Sequence, residues 1–136
     1  MNRYFIDTSA FLAILDGDDV NSPAAISCFQ GLREGDAHLH TTSYVLVETV
    51  ALVQARLGIT ALRDFQDHYR PLLQVNWVVE EGHERALAAV LVAGRRRLSL
   101  VDCASFDFMR RLGLTCAFTF DRHFADQGFE CLPERS

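Results

Sequence analysis

The chain has 136 residues, of which 49% are hydrophobic and 23% charged, and this predicts one globular domain over residues 1–136 with a sizeable core. Its formal net charge of −5 argues against a general electrostatic affinity for nucleic acid. All 13 basic residues are arginine, which excludes mechanisms that need a lysine and leaves the side chain best suited to bidentate phosphate contacts.

The sequence indicates neither a membrane segment nor a disulfide framework. Its apolar runs are shorter than the roughly 18 residues that span a bilayer, so we expect no membrane partner. The four cysteines are dispersed and form no CxxC pair, a distribution typical of buried thiols in a reducing compartment. We therefore expect a cytoplasmic protein.

The predicted elements alternate between strands and helices along the chain. A short β-prone run at residues 4–6 is followed by apolar residues at helical spacing up to Leu15. Further strands are predicted at residues 38–42, 75–79, 115–120 and 129–132, and further helices at residues 23–34, 44–57, 60–70, 81–97 and 99–113. Because helices separate the strands, we expect a mostly parallel sheet covered on both faces, in a three-layer α/β/α domain.

Asp7 is the first candidate site residue. It follows the first predicted strand at the point where a helix begins, with Thr8 and Ser9 beside it as further residue types that open helices. In open α/β sheets, ligands bind at the carboxyl ends of the strands. Asp7 is therefore either a helix cap or a site residue, and its position alone leaves both interpretations open.

Glu48 is the second candidate, in the predicted helix at residues 44–57. Its neighbours three and four positions away are apolar or aromatic, namely Tyr44, Val45, Ala51 and Leu52. A glutamate on a buried stripe is costly unless it is paired or binds a cation. Pairing with an arginine is the structural alternative to a site role.

Asp102 and Asp121 also have structural alternatives. Ser99 and Asp102 have the spacing of a capping box, with aspartate in place of the more usual glutamate or glutamine. Asp121 follows the predicted strand at residues 115–120 and could equally start a turn. His123, two residues later, is interpreted as a turn or packing residue rather than as a general base.

Taken together, the four acids favour a metal site. A doubly wound sheet can bring the ends of its first and fourth strands together, and helix starts line the same edge. Two like charges ~4 Å apart repel by about 4 kcal/mol at an effective dielectric near 20, so the cluster needs protons or cations. Oxygen ligands favour Mg²⁺ or Mn²⁺ over zinc, and such ions support phosphoryl transfer.

The motifs resemble those of PIN-domain ribonucleases, in particular VapC-type toxins of toxin–antitoxin systems. The resemblance rests on Asp7 in FIDTSAF, Glu48 in YVLVETVAL, Asp102 in LSLVDCASF and Asp121 in FTFDRHF, and it covers nearly the whole chain. It implies an α/β/α fold with strand order 3-2-1-4-5 and a Mg²⁺- or Mn²⁺-dependent endoribonuclease. These four acids would be the catalytic and metal-binding residues, and Ser9 would help to hold Asp7 and the site waters.

The resemblance also implies partners. VapC-like proteins act on RNA, generally form homodimers and are neutralised by a cognate VapB-like antitoxin. The arginines Arg95, Arg96 and Arg97, just upstream of Asp102, are the best candidates to position RNA, followed by Arg122. The structural alternative is that these arginines are the positive charges that satisfy the C-terminus of a helix.

Two other functions fit parts of the pattern. A phosphatase or receiver domain would also place an aspartate after its first strand, but both use a lysine that this chain lacks. A catalytically inactive PIN-like domain that binds RNA or a partner is the second alternative, and missing acids would favour it. All four acidic positions are occupied here, so the nuclease interpretation is preferred.

Overall fold

The structure is a computed structural model that describes residues 2–134. Five short strands form one parallel sheet, with the bounds β1 Arg3–Ile6, β2 His38–Thr42, β3 Leu73–Asn76, β4 Cys116–Phe118 and β5 Glu130–Leu132. Their order across the sheet is β3-β2-β1-β4-β5. The predicted parallel sheet and its order 3-2-1-4-5 are confirmed.

Helices cover both faces of the sheet. They are α1 Thr8–Leu15, α2 Ser22–Glu34, α3 Ser43–Leu57, α4 Ile59–Asp64, α5 Glu80–Ala93, α6 Leu100–Leu112 and α7 Arg122–Asp126. A π-helical turn, Phe65–Tyr69, and a 3₁₀ turn, Arg70–Leu72, connect α4 to β3. None of the helices in residues 2–134 has the length and apolar character needed to cross a membrane.

Two hydrophobic cores lie on opposite faces of the sheet because successive strand residues point in opposite directions. Phe5 and Ala117 belong to the core that includes residues of α5 and α6. Their neighbours Ile6 and Phe118 belong to the core that includes residues of α1 and α2. The three-layer α/β/α arrangement predicted from the alternation of elements is thus confirmed.

Several element boundaries differ from the predicted ones, among them the ends of β3, β4 and α5. β3 ends at Asn76 rather than at residue 79, because its partner β2 ends at Thr42, where α3 begins. β4 ends at Phe118, which pairs with the last residue of β1, Ile6. α5 ends at Ala93 rather than at residue 97.

The end of α5 determines where three of the candidate RNA-binding arginines lie. Gly94 has a φ of 62°, and its N–H donates to the Val90 carbonyl, which closes the helix. This left-handed conformation is readily available only to glycine. Arg95, Arg96 and Arg97 consequently lie in the loop that leads to α6, and not in the last turn of a helix.

Candidate active site

The carboxyl ends of β1 and β4 form the centre of the site. The two strands are paired, and the Asp7 N–H that follows β1 donates to the Phe118 carbonyl at the end of β4 (3.1 Å). The chain segments beyond both strands are therefore held side by side. One carries Asp7 and Ser9, and the other carries Thr119 and Asp121.

Two hydroxyl groups orient the Asp7 carboxylate. Ser9 Oγ donates to Asp7 Oδ2 (2.8 Å) and Thr119 Oγ1 donates to the same oxygen (3.1 Å). Each hydroxyl also accepts a backbone N–H, from Phe120 to Ser9 (2.9 Å) and from Asp121 to Thr119 (3.0 Å). A hydroxyl has a single proton, so Asp7 takes up the donor capacity of both groups. No group in residues 2–134 donates to Asp7 Oδ1, which is left available for a ligand.

The environment of Asp7 disfavours its charged form. The residue is only 5% exposed, and burial raises the pKa of its carboxyl from 3.8 to about 6. The hydrogen bonds from Ser9 and Thr119 lower the pKa, and the nearby Asp102 charge raises it. Asp7 caps α1 through its bond from the Ser9 N–H, so it is a helix cap and also lies at the proposed site.

Asp102 lies in the first turn of α6 and is 8% exposed. The capping box is present: the Asp102 N–H donates to Ser99 Oγ (3.1 Å) and the Ser99 N–H donates to Asp102 Oδ2 (3.2 Å). Burial raises the pKa of Asp102, the backbone bond from Ser99 lowers it, and the Asp121 charge raises it. The two carboxylates lie close together, with one oxygen of each within 4.8 Å of the other.

Asp121 and His123 complete the cluster. Asp121 caps α7, and its Oδ1 accepts the His123 backbone N–H (2.9 Å). His123 Nδ1 lies 3.1 Å from Asp121 Oδ1 and 3.6 Å from Asp102 Oδ2. One ligand atom from each of Asp102, Asp121 and His123 lies within 4.8 Å of the others, which is the only such group of three metal-ligating side chains in residues 2–134.

The donor set fits a divalent cation. Within residues 2–134, no arginine forms an ion pair with Asp7, Asp102 or Asp121. His123 Nδ1 is a buried polar atom that makes no hydrogen bond in this part of the chain, although it faces two carboxylates. A bound cation would stabilise buried acids that have no arginine partner, and carboxylate oxygens suit Mg²⁺ and Mn²⁺.

Glu48 makes no hydrogen bond or ion pair to this cluster within residues 2–134. It is half-buried on α3, and no hydrogen bond or ion pair links it to another residue of the described range 2–134, so the arginine partner of the structural alternative is absent there. Helix α3 is nonetheless hydrogen-bonded to Thr8, the residue that follows Asp7. Thr8 Oγ1 donates to the Val45 carbonyl (3.4 Å) and accepts from Thr49 Oγ1 (3.1 Å). The role of Glu48 stays a prediction.

The candidate RNA-binding arginines are exposed and carry no ion pair within residues 2–134. Arg95, Arg96 and Arg97 precede Ser99, the N-cap of α6, by only a few residues. Arg122 directly follows Asp121 and lines a surface cavity of about 350 Å³ together with Thr119. Because α5 ends at Ala93, the first three arginines follow its C-terminus instead of lying in its last turn, and their role stays a prediction.

The sequence profile of the PIN domain matches residues 4–130. The chain belongs to the PIN-domain family. A curated PIN-domain relative, the "23S rRNA-specific endonuclease VapC20" of Mycobacterium tuberculosis, is 29% identical over 132 residues, which cover 96% of this chain and 98% of that protein. The resemblance to VapC-type PIN domains is confirmed.

Solved structures agree with this assignment. The crystal structure of M. tuberculosis VapC20, described as a Sarcin-Ricin loop cleaving toxin, has a TM-score of 0.79 and 28% identity, covering 93% of this chain and 95% of that one. FitAcB from Neisseria gonorrhoeae has a TM-score of 0.68 at 12% identity, covering 94% and 95%. The second likeness concerns the PIN fold alone.

The interpretation of the sequence missed two residues of this candidate site. Thr119 donates a hydrogen bond to Asp7. The signal available in the sequence was a polar residue between two phenylalanines at the end of a predicted strand. His123 was interpreted as a turn or packing residue, but its ring faces two carboxylates.

Replacing Asp7 with asparagine should stabilise the metal-free protein at pH 7.5. Because the pKa of Asp7 is about 6 when folded against an ordinary 3.8, the folded state binds an extra proton between these values, and stability falls as pH rises through that window. The gain at pH 7.5 should approach about 3 kcal/mol and largely vanish near pH 4. Thermal unfolding in EDTA at both pH values measures it.

The control for this experiment is Asp18→Asn, which changes an exposed aspartate and should have little effect. Equal or lower stability of Asp7→Asn at pH 7.5 would contradict the prediction.

Removing the Thr119 hydroxyl should weaken the hydrogen bonding of the Asp7 carboxylate and lower the stability of the protein. Thr119→Val removes a donor to Asp7 Oδ2 and the acceptor of the Asp121 N–H, so we expect a loss of about 1–3 kcal/mol in unfolding free energy. The pKa of Asp7 should rise further. Urea unfolding and NMR titration of the carboxyl measure both effects, and Thr119→Ser, which keeps the hydroxyl, should preserve both. If the pKa does not move in Thr119→Val, the hydroxyl does not control Asp7.

Proposed function

We propose that the protein is a Mg²⁺- or Mn²⁺-dependent endoribonuclease, a VapC-type toxin that hydrolyses RNA phosphodiester bonds. The observation that carries the proposal is the set of buried acids without arginine partners at the carboxyl edge of a PIN-domain sheet. The likeness to a protein named as an rRNA endonuclease supports RNA as the substrate class.

In this proposal the four acids Asp7, Glu48, Asp102 and Asp121 hold the cation. When bound, a divalent ion acidifies water and stabilises the negative charge that develops during phosphoryl transfer. Asp7 presents Oδ1 while the hydroxyls of Ser9 and Thr119 fix its other oxygen. Asp102 is oriented by the capping box, and Asp121 by its place at the start of α7. The expected products carry 5′-phosphate and 3′-hydroxyl ends.

Local arginines are proposed to offset the formal net charge of −5 where RNA binds. Arg95, Arg96 and Arg97 lie in the loop that leads to the helix carrying Asp102, and Arg122 lies beside Asp121. All four are exposed and unpaired within residues 2–134. Guanidinium groups in such positions can contact phosphates on either side of the cleaved bond.

We further propose that the protein forms a homodimer and is neutralised by a VapB-like antitoxin. Several large apolar side chains are exposed, and those that lie together are candidates for contact with a partner. The most exposed are Val20, Val47, Trp77, Val79, Leu91 and Val92. An RNA substrate and four free cysteines are consistent with action in the cytoplasm.

The metal requirement is testable with purified protein and RNA. Cleavage should need Mg²⁺ or Mn²⁺, stop in EDTA and leave 5′-phosphate ends. Asp102→Asn should reduce the rate by about 100-fold or more, because the oxygen that remains can still accept the Ser99 N–H but the charge is lost. The exposed Asp67→Asn variant is the control and should cleave normally. Cleavage in EDTA, or 2′,3′-cyclic phosphate ends, would exclude this mechanism.

The arginine loop is testable through the salt dependence of binding. In the Asp102→Asn background, changing Arg95, Arg96 and Arg97 to glutamine should weaken RNA binding. It should also reduce the slope of log K against log salt by roughly 0.7 for each lost phosphate contact. Fluorescence anisotropy with labelled RNA measures both. Changing the exposed Arg33 and Arg63 of α2 and α4 to glutamine is the control. An unchanged slope in the loop variant would remove the loop from the RNA path.

A further inference from the structure

The imidazole ring of His123 lies inside the acidic cluster. A residue that only forms a turn does not need a buried ring. Its side chain is 19% exposed, and its Nδ1 is buried between Asp121 Oδ1 at 3.1 Å and Asp102 Oδ2 at 3.6 Å. The first distance allows a hydrogen bond, but the angle does not, so Nδ1 has no hydrogen-bond partner in residues 2–134. A buried ring nitrogen without a partner is unusual in a folded protein.

The position of the ring is well supported by the fold. Phe124, the next residue, is fully buried and packs on Phe5 and Phe106, with ring centroids 5.8 and 5.0 Å apart. The His123 backbone N–H is held by Asp121 Oδ1 (2.9 Å). With one neighbour anchored in the core and its own backbone bonded, the imidazole is directed towards the two carboxylates.

We propose that His123 Nδ1 is a nitrogen ligand of the cation held by Asp102 and Asp121, and that it shifts the preference of the site from Mg²⁺ towards Mn²⁺. This inference rests on the proposed metal dependence. Two ligands at right angles around an ion with bonds of about 2.1 Å lie about 3.0 Å apart, close to the 3.1 Å between Nδ1 and Asp121 Oδ1.

The chemistry of the ligand explains the preference. Mg²⁺ is a hard cation that favours oxygen ligands, whereas imidazole is a ligand suited to transition metals. A neutral imidazole with its proton on Nε2 presents a lone pair at Nδ1, where the carboxylates of Asp102 and Asp121 converge. A site with one nitrogen among its oxygens therefore gains affinity for Mn²⁺ without losing the capacity for Mg²⁺.

Pulsed electron paramagnetic resonance on the Mn²⁺-loaded full chain tests the bond directly. A coordinated imidazole produces a ¹⁴N modulation of the electron spin echo. We expect this modulation in the wild type, its replacement by a ¹⁵N signal in protein labelled with ¹⁵N-histidine, and its loss in His123→Gln. The control is His68→Gln, which removes another histidine paired with an aspartate (2.8 Å from Asp64), on the surface of the protein. This variant should keep the modulation.

Competition between the two ions tests the preference. The Mg²⁺ concentration that displaces half of the bound Mn²⁺ should fall by about tenfold in His123→Gln and stay unchanged in His68→Gln. The isotope experiment on the wild type needs no substitution. It therefore tests whether a histidine nitrogen coordinates Mn²⁺ even if His123→Gln does not fold.

The outcomes separate this inference from the proposed function. If Mn²⁺ does not bind the wild type at all, both the proposed metal site and the histidine ligand are wrong. If Mn²⁺ binds and is lost in Asp102→Asn, but no nitrogen modulation is seen, the metal site stands and the histidine ligand is overturned. A modulation that persists in His123→Gln would likewise overturn it.

Discussion

The carboxylate of Asp7 is held almost out of contact with water at the end of β1, and the rest of the site is arranged around this burial. Two hydroxyl groups bond to one of its oxygens, yet burial still raises its pKa to about 6, with a contribution from Asp102. Like charges in a poorly solvated site repel, and either protons or a cation must compensate them. In the metal-free protein the charged form of Asp7 is therefore disfavoured, and a bound cation would stabilise it.

Three of the four candidate acids also lie at the starts of helices. Asp7 caps α1, Asp102 belongs to the capping box of α6, and Asp121 caps α7. The structural and functional interpretations of these residues are therefore compatible, because a carboxylate has two oxygens and capping uses one of them. The N-terminal N–H groups of helices favour negative charge, which helps the fold to tolerate several acids at one edge.

Much of the fold could be predicted because it follows from local patterns. Alternating strands and helices indicated a parallel sheet, and residue types at strand ends indicated where acids would lie. Element ends were less predictable where they depend on a neighbour. β3 ends where β2 turns into α3, which no property of residues 75–79 reveals. The end of α5 was missed although its signal is local, because Gly94 closes the helix and leaves three arginines in a loop.

The sequence by itself determined which residues follow strands and open helices, and hence the candidates Asp7, Asp102 and Asp121, because backbone preferences and polar side chains act over a few residues. The tertiary structure decided which groups meet. Thr119 bonds to an oxygen 112 positions away, and His123 faces a carboxylate on a different helix. Such contacts depend on how β1, β4, α6 and α7 pack against one another, and local sequence patterns carry no information on that packing.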